Sequence, residues 1–551
     1  MYKLNQIKLN IDHSNDDFKR KIAKTVGVSV ADIDWSTLII LHKSIDARDK
    51  NNILFVYNIA FDFVGTRRGE FHEPAVGHRT YEFYEPVSFN PIARSRTGEF
   101  HEPSVRPVVV GFGPAGIFAS YIFALNGLKP IIIERGKSLE DRIKDVDKFF
   151  EKMELNEESN VCFGEGGAGA FSDGKLNTNN KDKTGIYHFI LETFVKFGAD
   201  EKILYENMPH IGTDKLVDVI KNIRDEIIKL GGEIHYNTKW VFKDGLAKLA
   251  PTNAPIILAI GNSSRDTFRE LIENGFDLKA KPFAIGYRIA HRQEMINESQ
   301  YGGTRNTRPY VDKLGPATYK LTYDVGNGHS VYSFCMCPGG YIINSSNYKG
   351  MLSINGMSYN DRSGKYANSA IVETITPEDV LGSYNSPVRE GSDNSPVRMV
   401  EFQEMIEKRA FELEKGFIPY VASEGSDICP EDVFKGQAKY SERLKTIFDD
   451  LGLKFNINED IEKALKHFNK IIPGFYAGSQ ASPVREGDQF IIAGVETRTS
   501  SPVKLDRDEN YMCNVKNYYP CGEGLGHGGG IISCAADGVK VAMKIIETRY
   551  V

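Results

Sequence analysis

The chain has 551 residues, of which 41% are hydrophobic and 26% charged, and this length suggests roughly two to four structural units. A net charge of −6 at pH 7 gives no general attraction for nucleic acid or for a membrane surface, so we expect neither as a partner. Seven cysteines are too few, and odd in number, for a disulfide framework, which favours a reducing compartment. The chain opens with no apolar signal segment and contains no apolar run of membrane-spanning length, so we expect a cytoplasmic protein.

Residues 1–63 are predicted to form a small α+β accessory domain. NQIKLNI alternates polar and apolar residues like a strand, and NDDFKRKIAKTVGV is typical of a capped helix stopped by a glycine. STLIILHKSID and NILFVYNIAFDF predict two further strands because they are rich in β-branched and aromatic residues. This unit has no glycine-rich loop, so we do not expect it to hold a cofactor.

Residues 64–105 are predicted to be a repetitive linker. GEFHEP occurs in it at 69–74 and again at 98–103, and SPVREG occurs later at 386–391 and 482–487. Two copies are too few to stack into a solenoid, so these segments are predicted to be insertions in surface loops. The histidines and glutamates of GEFHEP could ligate a metal, but their spacing does not favour it and no metal site is predicted.

The segment RPVVVGFGPAGIFASYIFALNGLKPIIIERG, at 106–136, predicts a complete β–turn–α–β nucleotide-binding unit. Gly111 would permit the tight turn, Gly113 the approach of a pyrophosphate, and Gly116 the packing of helix on strand. The N-terminus of the helix would offer free N–H groups to phosphate. Glu134, at the end of the second strand, could accept hydrogen bonds from a ribose. This unit alone does not distinguish FAD from NAD.

Two distant segments favour FAD. APIILAIGNSSRDTF, at 254–268, predicts a strand returning to the same sheet, and NYYPCGEGLGHGGGIISCAADGVKVAMKII, at 517–546, predicts a strand, a glycine-dense turn and a helix. The start of that last helix would stabilise negative charge on a reduced flavin. A site built from both ends of the chain suits FAD better than NAD, and no second G-x-G-x-x-G unit follows. NAD(P)H, if used, would visit the flavin transiently.

The stretch FGEGGAGAFSDGKLNT, at 163–178, is too glycine-rich for a packed helix or strand. It predicts a loop lying along the pyrophosphate and the flavin, with a flexible surface loop as the alternative. Lys175 could neutralise charge on the flavin or the substrate. The residues predicted to contact the cofactor are Gly111, Gly113, Pro114, Ala115, Gly116, Glu134, Arg135, Gly166, Gly167, Ser172, Lys175, Ala259, Gly261, Gly522, Glu523, Gly529, Gly530 and Ile531.

Motifs spread over nearly the whole chain resemble those of the bacterial FAD-dependent dehydrogenases, also labelled NAD(FAD)-utilising dehydrogenases. The resemblance implies an α/β protein with a glutathione-reductase-like FAD fold. It implies a three-layer, Rossmann-like FAD-binding domain at 106–280 and 488–551, and an α+β substrate domain inserted at 281–487. The motifs are VVVGFGPAG with IIIERG, NVCFGEGGAGAFSDGKLNT, PHIGTDKL, KPFAIGYRI, YSFCMCPGGYI, NGMSYNDRSG, GVETRTSSPV and CGEGLGHGGGI.

Four side chains are candidates for chemistry. Cys335 and Cys337 are two residues apart on a predicted strand, so both thiols would face one site. Their C-x-C spacing is not the thioredoxin-type C-x-x-C, and the alternative is a pair of buried thiols acting as small apolar groups. Arg498 could clamp a substrate carboxylate or form a structural ion pair. His527 could donate to the flavin edge or pass a proton to the substrate.

The function expected from these features is that of an FAD-dependent oxidoreductase. It would exchange hydride between flavin N5 and a small organic substrate, with NAD(P)H as a possible electron donor. A flavin-dependent RNA-modifying enzyme is an alternative that the absence of a basic excess disfavours. An FAD-bound redox sensor or scaffold without turnover is the non-enzymatic alternative.

Overall fold

The computed structural model describes residues 1–65, 81–92, 105–178, 181–242, 253–303, 311–326, 328–381, 396–414, 443–476 and 491–550. Both copies of GEFHEP and both copies of SPVREG lie outside these residues. The strands are β1 (Tyr2–Asn10), β2 (Ile33–Asp46), β3 (Leu54–Phe63), β4 (Tyr81–Phe83), β5 (Val108–Val110), β6 (Ile131–Ile133), β7 (Glu233–His235), β8 (Ile256–Leu258), β9 (Leu278–Ala280), β10 (Phe283–Arg292), β11 (Thr322–Gly326), β12 (His329–Cys337), β13 (Tyr341–Asn344), β14 (Ile354–Met357), β15 (Tyr366–Ile375), β16 (Ile491–Glu496), β17 (Val503–Leu505) and β18 (Tyr518–Pro520). The helices are α1 (Asn15–Val26), α2 (Pro114–Leu125), α3 (Leu139–Lys152), α4 (Ile186–Lys196), α5 (Thr213–Lys229), α6 (Arg265–Glu273), α7 (Gln293–Tyr301), α8 (Val311–Leu314), α9 (Pro377–Leu381), α10 (Val397–Glu414), α11 (Ile457–Ile471) and α12 (Ile531–Arg549). In this part of the chain no helix is both long enough and apolar enough to cross a bilayer.

An antiparallel sheet in the order β2-β3-β1-β4 forms the N-terminal unit. Helix α1 packs on it through Phe18 and Ile22; it starts with a capping box at Ser14 and ends at Gly27 in the left-handed conformation. The predicted strands and helix of this unit are present. Strand β4, which pairs with β1, lies in the stretch predicted to be linker, so that prediction was wrong for these residues.

A five-stranded parallel sheet, in the order β18-β8-β5-β6-β7, forms the second unit. The runs VVV, III and IIL are buried along their whole length, as expected for strands covered on both faces. The chain builds outward from β5 through β6 and β7, and then returns to the other side of β5 with β8. This reversal of strand order is where α/β sheets bind ligands. The predicted α/β class with a parallel sheet is thus confirmed.

A second antiparallel sheet, in the order β11-β12-β15-β10-β16, lies between the two parts of the parallel sheet in sequence. Strand β16 pairs with β10, so it belongs to this sheet and not to the C-terminal part of the nucleotide-binding unit. The predicted boundary at residue 487 was therefore wrong. The chain leaves and re-enters the nucleotide-binding unit through β9 and β17, which pair with each other.

Helix α12 packs directly on helix α2, which places the C-terminus of the chain against its first nucleotide-binding helix. A Cβ on Gly538 of α12 would lie 2.2 Å from the carbonyl oxygen of Ala115 in α2, so a hydrogen is all that fits there. Ala115 is the second residue of α2, and Gly538 lies two turns into α12. The starts of the two helices therefore lie near each other, at the same edge of the parallel sheet.

Candidate functional site

A cavity of about 530 Å³ lies at the carboxyl ends of β5 and β8. We call it the nucleotide cavity. Its walls come from the β5–α2 turn, the loop after β8, the stretch 162–175 and the turn before α12. This is the position at which the reversal of strand order predicts a ligand.

The β5–α2 turn has room only for glycine. Gly111 has a φ of +94°, and a Cβ there would lie 2.3 Å from the carbonyl oxygen of Ala259. A Cβ on Gly116 would lie 1.9 Å from the carbonyl oxygen of Gly111, so helix α2 rests on the turn itself. Gly116 accordingly packs the helix and does not line the cavity, which is the role predicted for the third glycine.

Two helices begin at the nucleotide cavity without a capping side chain. Helix α2 starts after Gly113 and α12 starts after Gly530. The first N–H groups of a helix have no partner within it, and the end of each helix carries about half a positive elementary charge. Pro114 and Ile531, the first residues of the two helices, both line the cavity. The cavity therefore offers two separate positions for negative charge.

Glu134 organises the loops around the cavity. Its carboxylate accepts hydrogen bonds from the backbone N–H groups of Phe112 at 2.8 Å, Gly136 at 2.9 Å and Gly164 at 3.0 Å. The side chain is buried and still lines the cavity, so its oxygens retain acceptor capacity toward a bound ribose. The sequence predicted the ribose contact but not the backbone contacts.

Most of the predicted cofactor residues line this cavity, with Gly116 and Gly166 as the exceptions. A Cβ on Gly166 would lie 2.9 Å from both Ala170 and Ile220, so this glycine is packed against the protein interior and does not line the cavity. Those that line the cavity are Gly111, Gly113, Pro114, Ala115, Glu134, Arg135, Gly167, Ser172, Lys175, Ala259, Gly261, Gly522, Glu523, Gly529, Gly530 and Ile531.

Sequence reasoning missed the wall that follows β7. Thr238, Lys239 and Trp240 line the cavity there. Strand β7 is three residues long and only partly buried, so no apolar run in the sequence predicts it. Asn262 and Ser263 were also missed, although they directly follow the predicted Gly261.

Arg498, the predicted carboxylate clamp, is bound to a carboxylate of the protein itself. Its Nε and Nη2 donate to Glu407 at 2.9 and 2.7 Å, and its Nη1 contacts Asn347. Arg265 binds the same carboxylate at 2.7 Å. Burial opposes the charge of Glu407, but the two guanidinium groups hold its pKa well below the usual range. These contacts favour the structural ion pair, which was the alternative interpretation.

Arg135 is similarly committed to protein partners. It donates to both oxygens of Asp266 at 3.1 and 3.0 Å and to Glu158 at 2.9 Å. Its guanidinium also lies 4.0 Å from the ring centre of Phe163. Arg135 therefore lines the cavity with a guanidinium group that its protein partners hold in place.

Glu523 is the acid that follows β18. It lines the nucleotide cavity and accepts a hydrogen bond from the Asn262 side chain at 3.0 Å. Burial raises its pKa to about 7, although Asn262 and Lys281 partly offset this. A carboxyl group poised near neutrality thus lies at the start of the turn that leads to α12.

The side chains of Cys335 and Cys337, which we call the thiol pair, lie beside one ammonium group. Lys175 Nζ is 4.0 Å from Cys335 Sγ and 3.7 Å from Cys337 Sγ. A hydrogen bond between the thiols, with help from Lys175, holds the pKa of Cys335 well below its usual range, although burial opposes this. The same bond and burial raise the pKa of Cys337.

A second cavity, of about 650 Å³, adjoins the first. The two share Lys175, Asn177, Phe334, Cys335 and Gly529 as lining residues. Cys335 and Lys175 thus lie where the two cavities meet.

His527 lines the second cavity and not the nucleotide cavity. Its Nε2 lies 2.7 Å from the carbonyl oxygen of Leu505, and so carries the proton in the neutral ring. Burial and the nearby Arg507 lower the pKa of His527. This geometry does not favour the predicted hydrogen bond from His527 to the flavin edge, whereas Nδ1 remains an acceptor on a residue of the second cavity.

The nucleotide cavity fits FAD. The glycine turn that a Cβ would fill admits a diphosphate, and the two uncapped helix starts can face a diphosphate and a flavin ring. Fold and site together define an α/β protein with a dinucleotide site built from segments before and after the inserted antiparallel sheet.

Comparison with known proteins identifies the family. Residues 282–499 match the C-terminal domain-like profile of the FAD-dependent proteins, and residues 1–62 match a domain of unknown function, DUF8436. An uncharacterized protein of Clostridium beijerinckii (strain ATCC 51743 / NCIMB 8052) is 41% identical over 562 residues, covering 99% of this chain and 98% of its own. The chain therefore belongs to one family with that protein, and its cofactor is FAD.

The solved structures that match this chain are much more distant. Tetracycline destructase Tet(51) is 12% identical with a TM-score of 0.28, over 81% of this chain and 83% of its own. A mutant of 2-methyl-3-hydroxypyridine-5-carboxylic acid oxygenase is 11% identical with a TM-score of 0.31, over 81% of this chain and 84% of its own. Scores this low support no conclusion about fold or substrate.

Proposed function

We propose that the protein is an FAD-dependent dehydrogenase that exchanges two electrons with a small organic anion. The observation that carries this proposal is the second cavity, which adjoins the nucleotide cavity and shares five lining residues with it. A substrate bound there would lie next to the FAD without displacing it.

The charge of the second cavity supports an anionic substrate. Lys175, Lys320, Arg362 and Lys540 line it, against a single carboxylate, Asp537. Among the described residues, no carboxylate pairs with Lys320 or Lys540. Two ammonium groups without an acidic partner favour a carboxylate or phosphate ligand.

The acid of the second cavity is already neutralised. Arg507 binds both oxygens of Asp537, at 2.6 and 3.0 Å, and the backbone N–H of Gly522 donates to the same group. Asp537 therefore contributes little repulsion toward an anion, and the net field of the cavity is positive.

Bound FAD supplies the two-electron chemistry at its isoalloxazine ring. The chain supplies position and charge: the start of α2 binds the diphosphate, and the start of α12 stabilises negative charge on the reduced ring. His527, neutral because its pKa is lowered, accepts the substrate proton at Nδ1. Lys175 holds the substrate or the ring by its charge at the junction of the two cavities.

The test is an anaerobic screen of the FAD-loaded protein, monitored by loss of the flavin visible absorbance. Organic acids are compared with their neutral amides, and NADH and NADPH are included as electron donors. We expect bleaching by at least one acid and none by its amide. Lys320→Gln should raise the KM for that acid about tenfold without loss of FAD, whereas Lys516→Gln, outside both cavities, should leave it unchanged. A fully loaded protein that no acid and no nicotinamide reduces would contradict the proposal and favour a sensor or scaffold.

A further inference from the structure

The strand that carries the thiol pair is interrupted by a bulge. Phe334 pairs with Ala370 and Cys337 pairs with Asn368, so two residues of β12 face only one residue of β15. Within the bulge Cys335 has a φ of +46°, the left-handed region that side chains rarely adopt. Regular strand alternation would place the two side chains side by side on one face. In the bulge both sulfur atoms lie within 4.0 Å of Lys175 Nζ, and the Cys337 thiol donates to the Cys335 carbonyl oxygen at 3.3 Å.

The short connection between the two cysteines also permits a covalent bond. Residues separated by one other residue have Cα atoms no more than about 7 Å apart. Disulfides span Cα separations of about 4.4–6.8 Å. The spacing of the thiol pair along the chain is therefore compatible with a disulfide.

Positive charge surrounds the thiol pair. Besides Lys175, the buried Arg288 contacts Cys337 Sγ at 3.5 Å and donates to the Cys335 carbonyl at 2.8 Å. Glu496 binds Arg288 at 3.0 Å, which leaves the guanidinium fixed in this position. Two cations favour a thiolate, which is the reactive form of a thiol.

The acids packed around the pair are themselves engaged. Asp173, which lies 3.4 Å from Lys175, is bound by both Nε and Nη2 of Arg362 and by the Ser358 hydroxyl. Burial opposes ionisation of Asp173, but Lys175 and Arg362 lower its pKa. Lys175 is therefore shared between one carboxylate and the thiol pair.

We propose that Cys335 and Cys337 form a redox-active dithiol that exchanges two electrons with the bound FAD. In the oxidising direction, the Cys335 thiolate and the Cys337 thiol form one S–S bond and release two electrons and one proton. Oxidised FAD accepts both electrons and that proton and becomes the anionic reduced flavin, so charge and atoms balance. The reverse step opens the disulfide.

The location of the pair suits this exchange, which rests on the proposed FAD-dependent function. Cys335 lines both cavities, whereas Cys337 is fully buried behind it. The half-buried Cys335 thiol is thus open to the cavity assigned to FAD, whereas the buried Cys337 thiol is accessible only to its partner. The reduced dithiol would hold one electron pair in addition to the pair held by the reduced flavin.

The first test reads the cysteines themselves in the wild-type holoprotein and needs no variant. The protein is oxidised with diamide, denatured, alkylated and digested with trypsin. Lysine and arginine are absent between Lys320 and Lys349, so a single peptide carries both cysteines. We expect this peptide unalkylated and lighter by two hydrogens, and alkylated twice after photoreduction of the flavin under anaerobic conditions. A peptide alkylated twice in the oxidised sample overturns the proposal.

The second test is an anaerobic titration of the oxidised holoprotein with dithionite. Wild type should consume about twice the reducing equivalents per FAD that Cys337→Ser consumes. Cys513→Ser, a buried thiol remote from both cavities, is the matched control and should behave as wild type. A wild type that consumes only one electron pair while its flavin bleaches fully refutes the dithiol and leaves the proposed FAD function intact. Disulfide formation in a protein that binds no FAD refutes both.

Discussion

At Gly116 the backbone of helix α2 approaches the β5–α2 turn so closely that only a hydrogen atom fits between them. The carbonyl oxygen of Gly111 occupies the place that any side chain would need. A substitution at this position can therefore weaken cofactor binding even though the new side chain would not contact the cofactor.

Gly116→Ala should weaken FAD binding about tenfold or more, since the helix must move away from the turn to relieve the contact. The ratio of flavin to protein absorbance after gel filtration measures this. Gly127→Ala is the control at the other end of the same helix: it has a φ of +72° but no neighbouring atom within 4 Å. It should cost about 1 kcal/mol of stability and leave FAD content unchanged. Equal FAD content in the two variants would contradict the prediction.

Glu373 predicts a pH dependence of stability. It is fully buried, and neither carboxylate oxygen has a hydrogen-bond partner among the described residues, although His329 Nδ1 lies 3.6 Å away. Burial, together with Asp460 and Asp379, raises its pKa from 4.5 to about 8. The folded state thus binds this proton more tightly than the unfolded state. Its contribution to stability is full below the unfolded pKa and is lost as the pH rises through about 8.

Glu373→Gln should therefore stabilise the protein at high pH, where the native side chain is ionised in an apolar setting. We expect a gain on the order of 2 kcal/mol at about pH 9 and little change at about pH 5, measured by urea denaturation. Glu378→Gln, an exposed neighbour, should show no such trend. A gain that is the same at both pH values would point to a packing effect instead.

Single residues were predictable from sequence where the backbone alone sets their role. Gly111 and Gly116 are required by a turn and a close approach, both of which follow from local spacing. Arg498 was not predictable, because its partner Glu407 lies on α10, far away in the sequence. The same limit applied to Cys335, whose bulge depends on the register with β15.

Among the elements, the pair α2 and α12 determines the shape of the site. The backbones touch at Gly538 and Ala115, and the starts of both helices open onto the nucleotide cavity. A change in their separation should alter the distance between the two positions offered to negative charge.

Gly538→Ala should therefore loosen this helix pair and the cofactor together. The added methyl group would lie 2.2 Å from a carbonyl oxygen, and overpacking of this kind costs on the order of 2 kcal/mol. We expect a lower Tm and a several-fold faster loss of FAD on dilution. Glu547→Ala, on the exposed side of α12, should change neither. A lower Tm with unchanged FAD release would show that the spacing of the helices does not affect the cofactor.

Elements with a distinctive pattern were predicted well, and those without one were not. The apolar runs of β5, β6, β8 and β18 predicted a parallel sheet, because strands that are covered on both faces are apolar along their whole length. The run of β16 is equally buried, so its pattern does not reveal which sheet it joins. Strand β4 has three residues, two of them exposed, and leaves no pattern at all.

The whole molecule joins its N-terminal sheet to the inserted antiparallel sheet through one continuous apolar cluster. The N-terminal sheet also docks through Lys43, whose N–H donates to Tyr205 at 2.7 Å and whose carbonyl accepts from Asn207 at 2.9 Å. Among the described residues, Val110 is the first along the chain to line the nucleotide cavity. The described part of the N-terminal unit, residues 1–65, thus packs against the rest of the fold and does not line the nucleotide cavity.

Deletion of residues 1–65 should lower the Tm and the soluble yield, because it exposes part of the shared cluster to water. The folded fraction should still bind FAD at the wild-type ratio, measured by absorbance after gel filtration. If the truncated protein folded but did not bind FAD, this would contradict the prediction that the N-terminal unit takes no part in cofactor binding.

The position of β18 has a consequence for a shortened chain. This strand completes the parallel sheet beside β8, and the turn and helix after it supply one side of the nucleotide cavity. A protein cut back to residues 1–510 would keep β5, β6 and β8 but lose one of the two uncapped helix starts. Such a preparation should therefore be colourless after purification.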